Sequence, residues 1–256
     1  MQASYCGLPP LPAEIWLRWN IDVALILVLA ALMIAHGVQL GVLSMAKSRT
    51  QQPRRMFFYG GWAALTGALI SPLCALGVAL FAARVSQHAW LTMIAAPLLV
   101  LASVRPQVNP LARPVTGAAI FAAALWLWHL PPLYELTFSS DVLYWLMHIS
   151  LFGAAVLLWR GLIHGGEQAW LARVGAGFLT VAQMGLLGAL ITLAPRPLYQ
   201  VHLLTTEAWG LTPIEDQQLG GLIMWVPTAF VLLAAGLSVL YAMLDKRDGP
   251  HPRPTP

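Results

Sequence analysis

The stretch WLWHLPPLYE, residues 126 to 135, places a histidine at the end of an apolar and aromatic segment, just ahead of a proline pair. Proline cannot continue a helix and disfavours helical backbone in the residue before it. The segment is therefore predicted to end as a helix close to His129. Ionisable side chains are costly in apolar surroundings and often mark functional positions there, so His129 is a first candidate site residue.

The composition of the whole chain is that of an integral membrane protein. Of the 256 residues, 9% are charged and 59% are hydrophobic, and the mean hydropathy is +0.71. Soluble globular proteins have about 25% charged residues. The sequence has no P-loop and no dinucleotide-binding glycine pattern, and the lack of a nucleophile elbow argues against a serine hydrolase. We predict no nucleic-acid partner. The lipid bilayer is the expected environment.

The predicted fold class is all-α, a polytopic membrane protein with a bundle of seven transmembrane helices. Apolar runs of about 20 residues, enough to cross a hydrocarbon core of about 30 Å, recur along almost the whole chain. We predict a periplasmic N-terminal tail at 1–21, a membrane domain at 22–244 and a disordered, Pro-rich cytoplasmic tail at 245–256. The tail at 1–21 lacks the pattern of a cleaved signal peptide. The seven spans are predicted at about 22 to 45, 56 to 72, 85 to 104, 115 to 131, 142 to 160, 172 to 194, and 218 to 244.

Charged residues in the predicted loops give the orientation, because Lys and Arg accumulate on the cytoplasmic side. The loops after the first, third and fifth spans are basic, whereas loops 132 to 141 and 195 to 217 are acidic. This places the N-terminus outside and the C-terminus inside. The connection 73 to 84, with Arg84 alone, is expected to lie in the membrane interface as a partial helix. The basic residues of these three loops are Lys47, Arg49, Arg54, Arg55, Arg105, Arg113, Arg160 and Arg173. Glu167 adds one negative charge to the loop after the fifth span.

In this orientation, polar residues from several helices converge on one layer near the outer surface. His88 lies about 6 Å below that surface and His148 about 10 Å below it, and His129 ends the outward-running fourth span. On the seventh helix, Asp216 and Met224 share a face at i and i+8. Other expected members or rim residues of this layer are Cys74, His202, Tyr134, Glu135, Gln217, Met93, Arg84 and Gln87.

A layer of His, Met and Cys favours copper as the bound metal. Imidazole suits copper, zinc and iron, and soft sulfur ligands select the cuprous ion. No local metal-binding spacing is present, so the prediction depends on topology alone. Taken singly, each histidine can be an interhelical strut and each methionine core filler. Cys6 and Cys74 both lie on the predicted outer, oxidising side, where they can pair, or where Cys74 can be a buried thiol or a ligand.

Five blocks of the sequence resemble the CtaG family of cytochrome c oxidase assembly proteins. The order and spacing of these blocks agree with the family over about residues 55 to 244, and the last block is the most specific. The blocks are SQHAWLTMIAAPLL (86 to 99), WLWHLPPLYE (126 to 135), LYWLMHISLFGAAVLLW (143 to 159), LGALITLAPRPLYQ (187 to 200) and WGLTPIEDQQLGGLIMWVP (209 to 227).

The resemblance implies a seven-helix protein of the bacterial inner membrane that helps copper reach a haem-copper oxidase. It implies oxidase subunits or copper chaperones as partners and no catalytic activity. The sequence departs from the family pattern at Arg84, where many members have His, and at Cys74, where an acidic residue or His is common. The family pattern falls on Gln87, His88, Met93, Pro97, His129, Pro131, Tyr134, His148, Pro195, Tyr199, residues 216 to 221, Met224 and Trp225.

Three functions follow as hypotheses. The leading one is an assembly factor in which His88, His129 and His148 bind copper, Met224 or Met93 supplies sulfur, and Asp216 orients an imidazole. The alternative is a membrane b-type cytochrome or quinone oxidoreductase, with haem as the cofactor held by two of the same histidines. A transporter is the third, but polar residues in the inner half of the bundle are too sparse to describe a conduit.

Overall fold

The computed structural model describes residues 4–41, 52–103, 113–165 and 169–247. These residues form α-helices connected by turns, irregular segments and short 3₁₀-helices, and they contain no β-strand, so the predicted all-α class is confirmed. The helices are α1 (Val23–Gln39), α2 (Gln52–Ile70), α3 (Leu73–Ala79), α4 (Phe81–Trp90), α5 (Ala96–Ala102), α6 (Pro114–His129), α7 (Pro131–Leu136), α8 (Asp141–His164), α9 (Trp170–Thr192) and α10 (Pro213–Arg247).

Each of the seven predicted spans overlaps a helical segment in the described part of the chain, but the lengths differ. In the described part of the chain, four helical segments are long and apolar enough to cross a membrane: 81–102, α8, α9 and 213–234. A fifth arises if α2 and α3, which meet at 44°, count as one span. The helices α1 and α6 are apolar but have only 17 and 16 residues. The protein is thus a helical membrane protein, and seven spans stay a prediction.

The segment 73–84 contains a short helix, α3, where a partial helix was predicted. Most of α3 and the start of α4 are buried within the protein, and α4 begins at Phe81 rather than near residue 85. A tertiary contact explains the early start of α4. The buried carboxylate of Asp216 accepts hydrogen bonds from the backbone N–H groups of Phe81 (2.7 Å) and Ala82 (3.1 Å). An N-terminal cap from another helix leaves no local signal in the sequence.

Between α4 and α5 the helix widens into a π-helical turn, Leu91–Ala95. The Trp159 indole N–H from α8 donates to the Thr92 carbonyl at 2.8 Å. In turn, the Thr92 hydroxyl donates to the His88 carbonyl at 2.7 Å. Single π-turns inside α-helices are frequent at functional sites, and this one directly follows the turn that carries His88.

The proline pair ends α6 as the sequence predicts. Leu130 has extended backbone (φ −66°, ψ 123°), as expected for a residue before proline. Pro131 then opens the short helix α7, where a missing N–H is harmless. His129 is therefore the last residue of α6, and its side chain is buried at 6% exposure.

Several residues used in the sequence predictions lie outside the described part of the chain. These are Lys47, Arg49, Arg105 and Glu167 of the orientation argument, and residues 248–256 of the predicted C-terminal tail. The first three residues of the predicted tail, 245 to 247, continue α10.

Candidate metal centre

The structure brings His88, His129 and His148 together from three helices. The ring centroids of His88 and His148 are 5.1 Å apart, and those of His88 and His129 are 6.5 Å apart. All three side chains are buried. Two imidazoles on one metal ion have centroids roughly 5–6 Å apart, given a metal–nitrogen distance of about 2 Å. The separation of His88 and His148 falls within this range, and that of His88 and His129 is larger.

Hydrogen bonds fix the orientation of two of these rings. Nδ1 of His129 lies 2.7 Å from the Leu125 carbonyl oxygen, and Nδ1 of His148 lies 2.9 Å from the Tyr144 carbonyl oxygen. Because a carbonyl oxygen only accepts, each Nδ1 carries the proton and each Nε2 keeps its lone pair. This is the usual second interaction of a metal-binding histidine.

Nitrogen atoms of the same rings lack partners in the described structure. Neither ring nitrogen of His88 has a hydrogen-bond partner there, nor does Nε2 of His148. Buried polar atoms are nearly always satisfied, by protein, water or a bound ion. The unsatisfied imidazole nitrogens therefore point to a bound ion or water between these helices.

A small cavity lies between His88 and His129. Its volume is about 10 Å³, close to the minimum for a single water molecule. The side chains of Met184 from α9 and Met224 from α10 contribute to its wall. Two histidines and two methionines thus line a space for one atom, and these residue types suit the cuprous ion. The full lining is Val85, His88, Ala89, Thr92, Leu125, His129, Leu151, Met184 and Met224.

Met184 is the site residue that the sequence reasoning missed. It lies on α9, about two turns before the C-terminal end of that helix, whereas the predicted layer was confined to residues near the predicted outer surface. Its signal in the sequence is weak, because a thioether among apolar residues is typical of core packing. Met93, in contrast, was a predicted ligand and packs in the hydrophobic core without lining the cavity.

Cys74 is not available as a thiolate ligand, which corrects one sequence expectation. It forms a disulfide with Cys6, with a Cα–Cα distance of 5.6 Å. Among the described residues, no group of three or more His, Cys, Asp or Glu side chains could hold a metal ion. A metal at the cavity would therefore depend on the methionine sulfurs as well as on the histidines.

Asp216 does not orient an imidazole, contrary to expectation, and Gln217 does not lie at a rim but is buried. Asp216 caps α4, and Gln217 joins α9 to the loop that follows it. The Gln217 Nε2 donates to the Ile191 carbonyl at 3.0 Å, and its Oε1 accepts from the Leu198 N–H at 2.6 Å. Both residues bind backbone groups, Asp216 at the start of α4 and Gln217 at the end of α9 and in the loop after it.

The expected rim residues Arg84, Gln87 and Tyr134 are buried rather than exposed at a mouth. Gln87 donates to the Ala68 carbonyl at 2.8 Å, while its Oε1 has no partner in the described chain. The Tyr134 hydroxyl lies 2.8 Å from Nε2 of His202. Glu135 accepts a hydrogen bond from the Gln200 N–H at 2.8 Å and so holds the loop before α10.

His202 lies apart from the cavity and gives the protein a pH-dependent stability. Burial, and then the positive charge of Arg84, lower the pKa of His202 to about 3. In the unfolded chain its pKa is about 6.5, so between pH 6.5 and 3 only the unfolded state binds this proton. Stability should therefore fall as the pH drops through this range, by about 2 kcal/mol at pH 5.

Thermal melting in detergent at pH 7.5 and pH 5 measures this effect. The His202→Gln variant keeps polar contacts in the loop but cannot take up the proton, so its melting temperature should fall less between the two pH values. If the melting temperature falls equally in the wild type and in the variant, His202 does not cause the pH dependence.

Comparison with known proteins shows the family of the chain. The chain matches the sequence pattern of the cytochrome c oxidase caa3 assembly factors over residues 38–246, a range that includes all three histidines and both cavity methionines. Curated proteins and solved structures give no match. Because the matched region covers most of the sequence, the chain belongs to the family of cytochrome c oxidase caa3 assembly factors.

Proposed function

We propose that this assembly factor binds a cuprous ion as cargo at the cavity between His88 and His129 and passes it to an apo-subunit of the oxidase. The observation that supports this proposal is the set of residues around a space for one atom: His88, whose ring nitrogens have no partner among the described residues, together with His129, Met184 and Met224. All four donors are neutral, so the site favours a monovalent ion over a divalent one.

His148 would extend this site toward the outer surface. Its ring lies 5.1 Å from His88 and 4.2 Å from Tyr144, and Tyr144 stacks on Tyr5 at 4.8 Å. The rings thus form a continuous row from the cavity to the N-terminal segment. Nε2 of His148 can take the ion from His88 as it leaves, which makes transfer a step between neighbouring imidazoles.

The proposed topology has seven spans, with the N-terminus outside the bacterial plasma membrane. The Cys6–Cys74 disulfide supports this orientation, because disulfides persist in oxidising compartments such as the periplasm. The site then lies near the outer face of the respiratory membrane. The haem alternative has no support, because a cavity of about 10 Å³ leaves no room for a macrocycle.

The function is tested on the oxidase itself. We expect cells that carry the His88→Ala and His129→Ala double variant to contain oxidase with most of its copper missing and with its activity reduced in proportion. The reason is that removal of both imidazoles leaves only thioether donors at the cavity. Elemental analysis of the purified oxidase, with its haem content as internal standard, gives the copper content.

His164→Ala serves as the matched control. His164 is also a helix histidine, at the far end of α8, where Nε2 lies 3.1 Å from the Val100 carbonyl oxygen. It lines no part of the cavity, and the control should leave oxidase copper unchanged. Normal copper in the oxidase from the double variant, at normal levels of the assembly factor, would exclude the proposed role.

A further inference from the structure

The Cys6–Cys74 disulfide lies in the wall of an open pocket. The pocket has a volume of about 450 Å³, and Arg18, Asn20 and Asp22 contribute polar groups to its lining. Cys74 is buried at 1% exposure, whereas Cys6 is partly exposed. A thiolate entering the pocket would therefore reach Cys6 Sγ first, with Cys74 as the leaving group.

Hydrogen-bond donors surround the sulfur that would leave. The Tyr144 hydroxyl lies 3.5 Å from Cys74 Sγ and 3.4 Å from Cys6 Sγ. The side-chain amide of Asn20 donates to Cys74 Sγ at 3.9 Å. A disulfide sulfur accepts hydrogen bonds weakly, but a thiolate accepts them strongly. These contacts thus favour the reduced state of Cys74 over the disulfide.

Arg84 supplies a positive charge beside Tyr144, the residue whose hydroxyl contacts both sulfur atoms. Its Cζ lies 5.2 Å from the centre of the Tyr144 ring, and its Nε donates to the carbonyl of Gly77, one turn along α3 from Cys74. The guanidinium is fully buried. Its Nη1 and Nη2 have no hydrogen-bond partner among the described residues, where no carboxylate pairs with Arg84 either.

A buried charge without a counterion is costly unless some state of the protein supplies one. A thiolate at Cys74 would be that counterion. Stabilising the reduced form in this way makes a disulfide a stronger oxidant and its buried sulfur a better leaving group.

We propose that Cys6–Cys74 is a redox-active disulfide that exchanges with a cysteine pair of a partner protein at the outer face. A partner thiolate attacks Cys6 Sγ, the Cys6–Cys74 bond breaks, and Cys74 leaves as a thiolate beside Tyr144 and Arg84. The partner's second thiolate then attacks the mixed disulfide and releases Cys6. Two electrons move from the partner dithiol, which becomes a disulfide. One of its two protons ends on Cys6, and the other goes to solvent.

A cysteine pair fits this step better than a single thiol. The second cysteine of a pair resolves the mixed disulfide within one complex, at a high effective concentration. The pocket is open and wide enough for a short loop that carries such a pair. Reduction also breaks the covalent tie of the N-terminal segment, in which Tyr5 stacks on Tyr144.

The test uses the full chain in detergent, incubated with a short peptide that carries two nearby cysteines. Acid quenching and a maleimide mass shift count the free thiols. We expect the folded wild type to be reduced by this peptide, and more completely than by glutathione at the same thiol concentration. A mixed disulfide trapped with glutathione should map to Cys6.

Variants of Arg84 distinguish its proposed role as counterion from an effect of how accessible the disulfide is to the peptide. In Arg84→Met the equilibrium with the peptide should shift at least about tenfold toward the disulfide, because the thiolate loses its counterion. Arg84→Lys should remain close to wild type. Arg18→Met also removes a positive charge from the lining of the pocket. This variant should shift the equilibrium with the peptide by less than about twofold, since an exposed charge is screened.

Tyr144→Phe gives a second variant if Arg84→Met does not fold. It removes only the hydroxyl, and the equilibrium should again shift toward the disulfide. Three results would overturn the proposal: a disulfide that is reduced only after the protein unfolds, equal reduction by glutathione and by the dithiol peptide, or no shift in the folded Arg84 and Tyr144 variants.

Discussion

His129→Ala is expected to weaken cuprous-ion binding by more than about 100-fold, since even the loss of a hydrogen bond behind a ligand costs about 10–100-fold in metal affinity. The Nδ1 proton of His129 is engaged by the Leu125 carbonyl, and the ring lines the cavity, so Nε2 is the nitrogen free to bind. Competition with a chromophoric cuprous chelator, using the detergent-purified protein, measures the change.

The sulfur half of the site is tested in the same assay. The Met184→Leu and Met224→Leu double variant keeps the volume of the side chains but removes both thioethers, and should weaken cuprous binding while leaving the fold intact. His164→Ala should bind as wild type does. If His129→Ala and His164→Ala weaken binding equally, the bound copper lies elsewhere and the cavity is not the site.

Asp216→Ala is expected to give the largest loss of stability among the variants discussed. The change leaves the N–H groups of Phe81 and Ala82 buried without an acceptor. Each orphaned donor costs about 1–3 kcal/mol, so the sum is roughly 2–6 kcal/mol. Thermal unfolding in detergent, or the amount of protein that survives extraction, measures the effect.

Asp141→Ala is the matched control for this variant. Asp141 also lies in the first turn of its helix, but it is exposed, so its removal should cost only a few tenths of a kcal/mol. Asp216→Asn should fall between the two, because an amide retains one acceptor oxygen. If Asp216→Ala melts like Asp141→Ala, the inter-helix cap contributes nothing measurable and another contact must hold the start of α4.

The sequence predicted the helices and the meeting of the three histidines, because both depend on simple regularities. Apolar runs mark helices in a membrane protein, and the rise of 1.5 Å per residue gives each histidine a depth. The proline pair after His129 fixes where α6 ends. The predicted depths place His88, His129 and His148 in one layer, but they do not give the distances between the three side chains.

The sequence could not predict contacts that depend on how helices turn toward one another. Asp216 was expected beside an imidazole but caps α4, and Arg84 was expected at a mouth but is buried. Met184 is indistinguishable from core filler until the rotation of α9 is known. The pairing of Cys6 with Cys74 was left open, because their separation of 68 residues gives no geometric constraint.

The most direct measurement is X-ray absorption at the copper K-edge of the purified protein loaded with one equivalent of cuprous ion. The account predicts a cuprous edge with nitrogen and sulfur neighbours together, and loss of the sulfur neighbours in the Met184→Leu and Met224→Leu double variant. A protein that retains no copper, or a spectrum with nitrogen and oxygen neighbours alone that the double variant leaves unchanged, would contradict a cuprous site at this cavity.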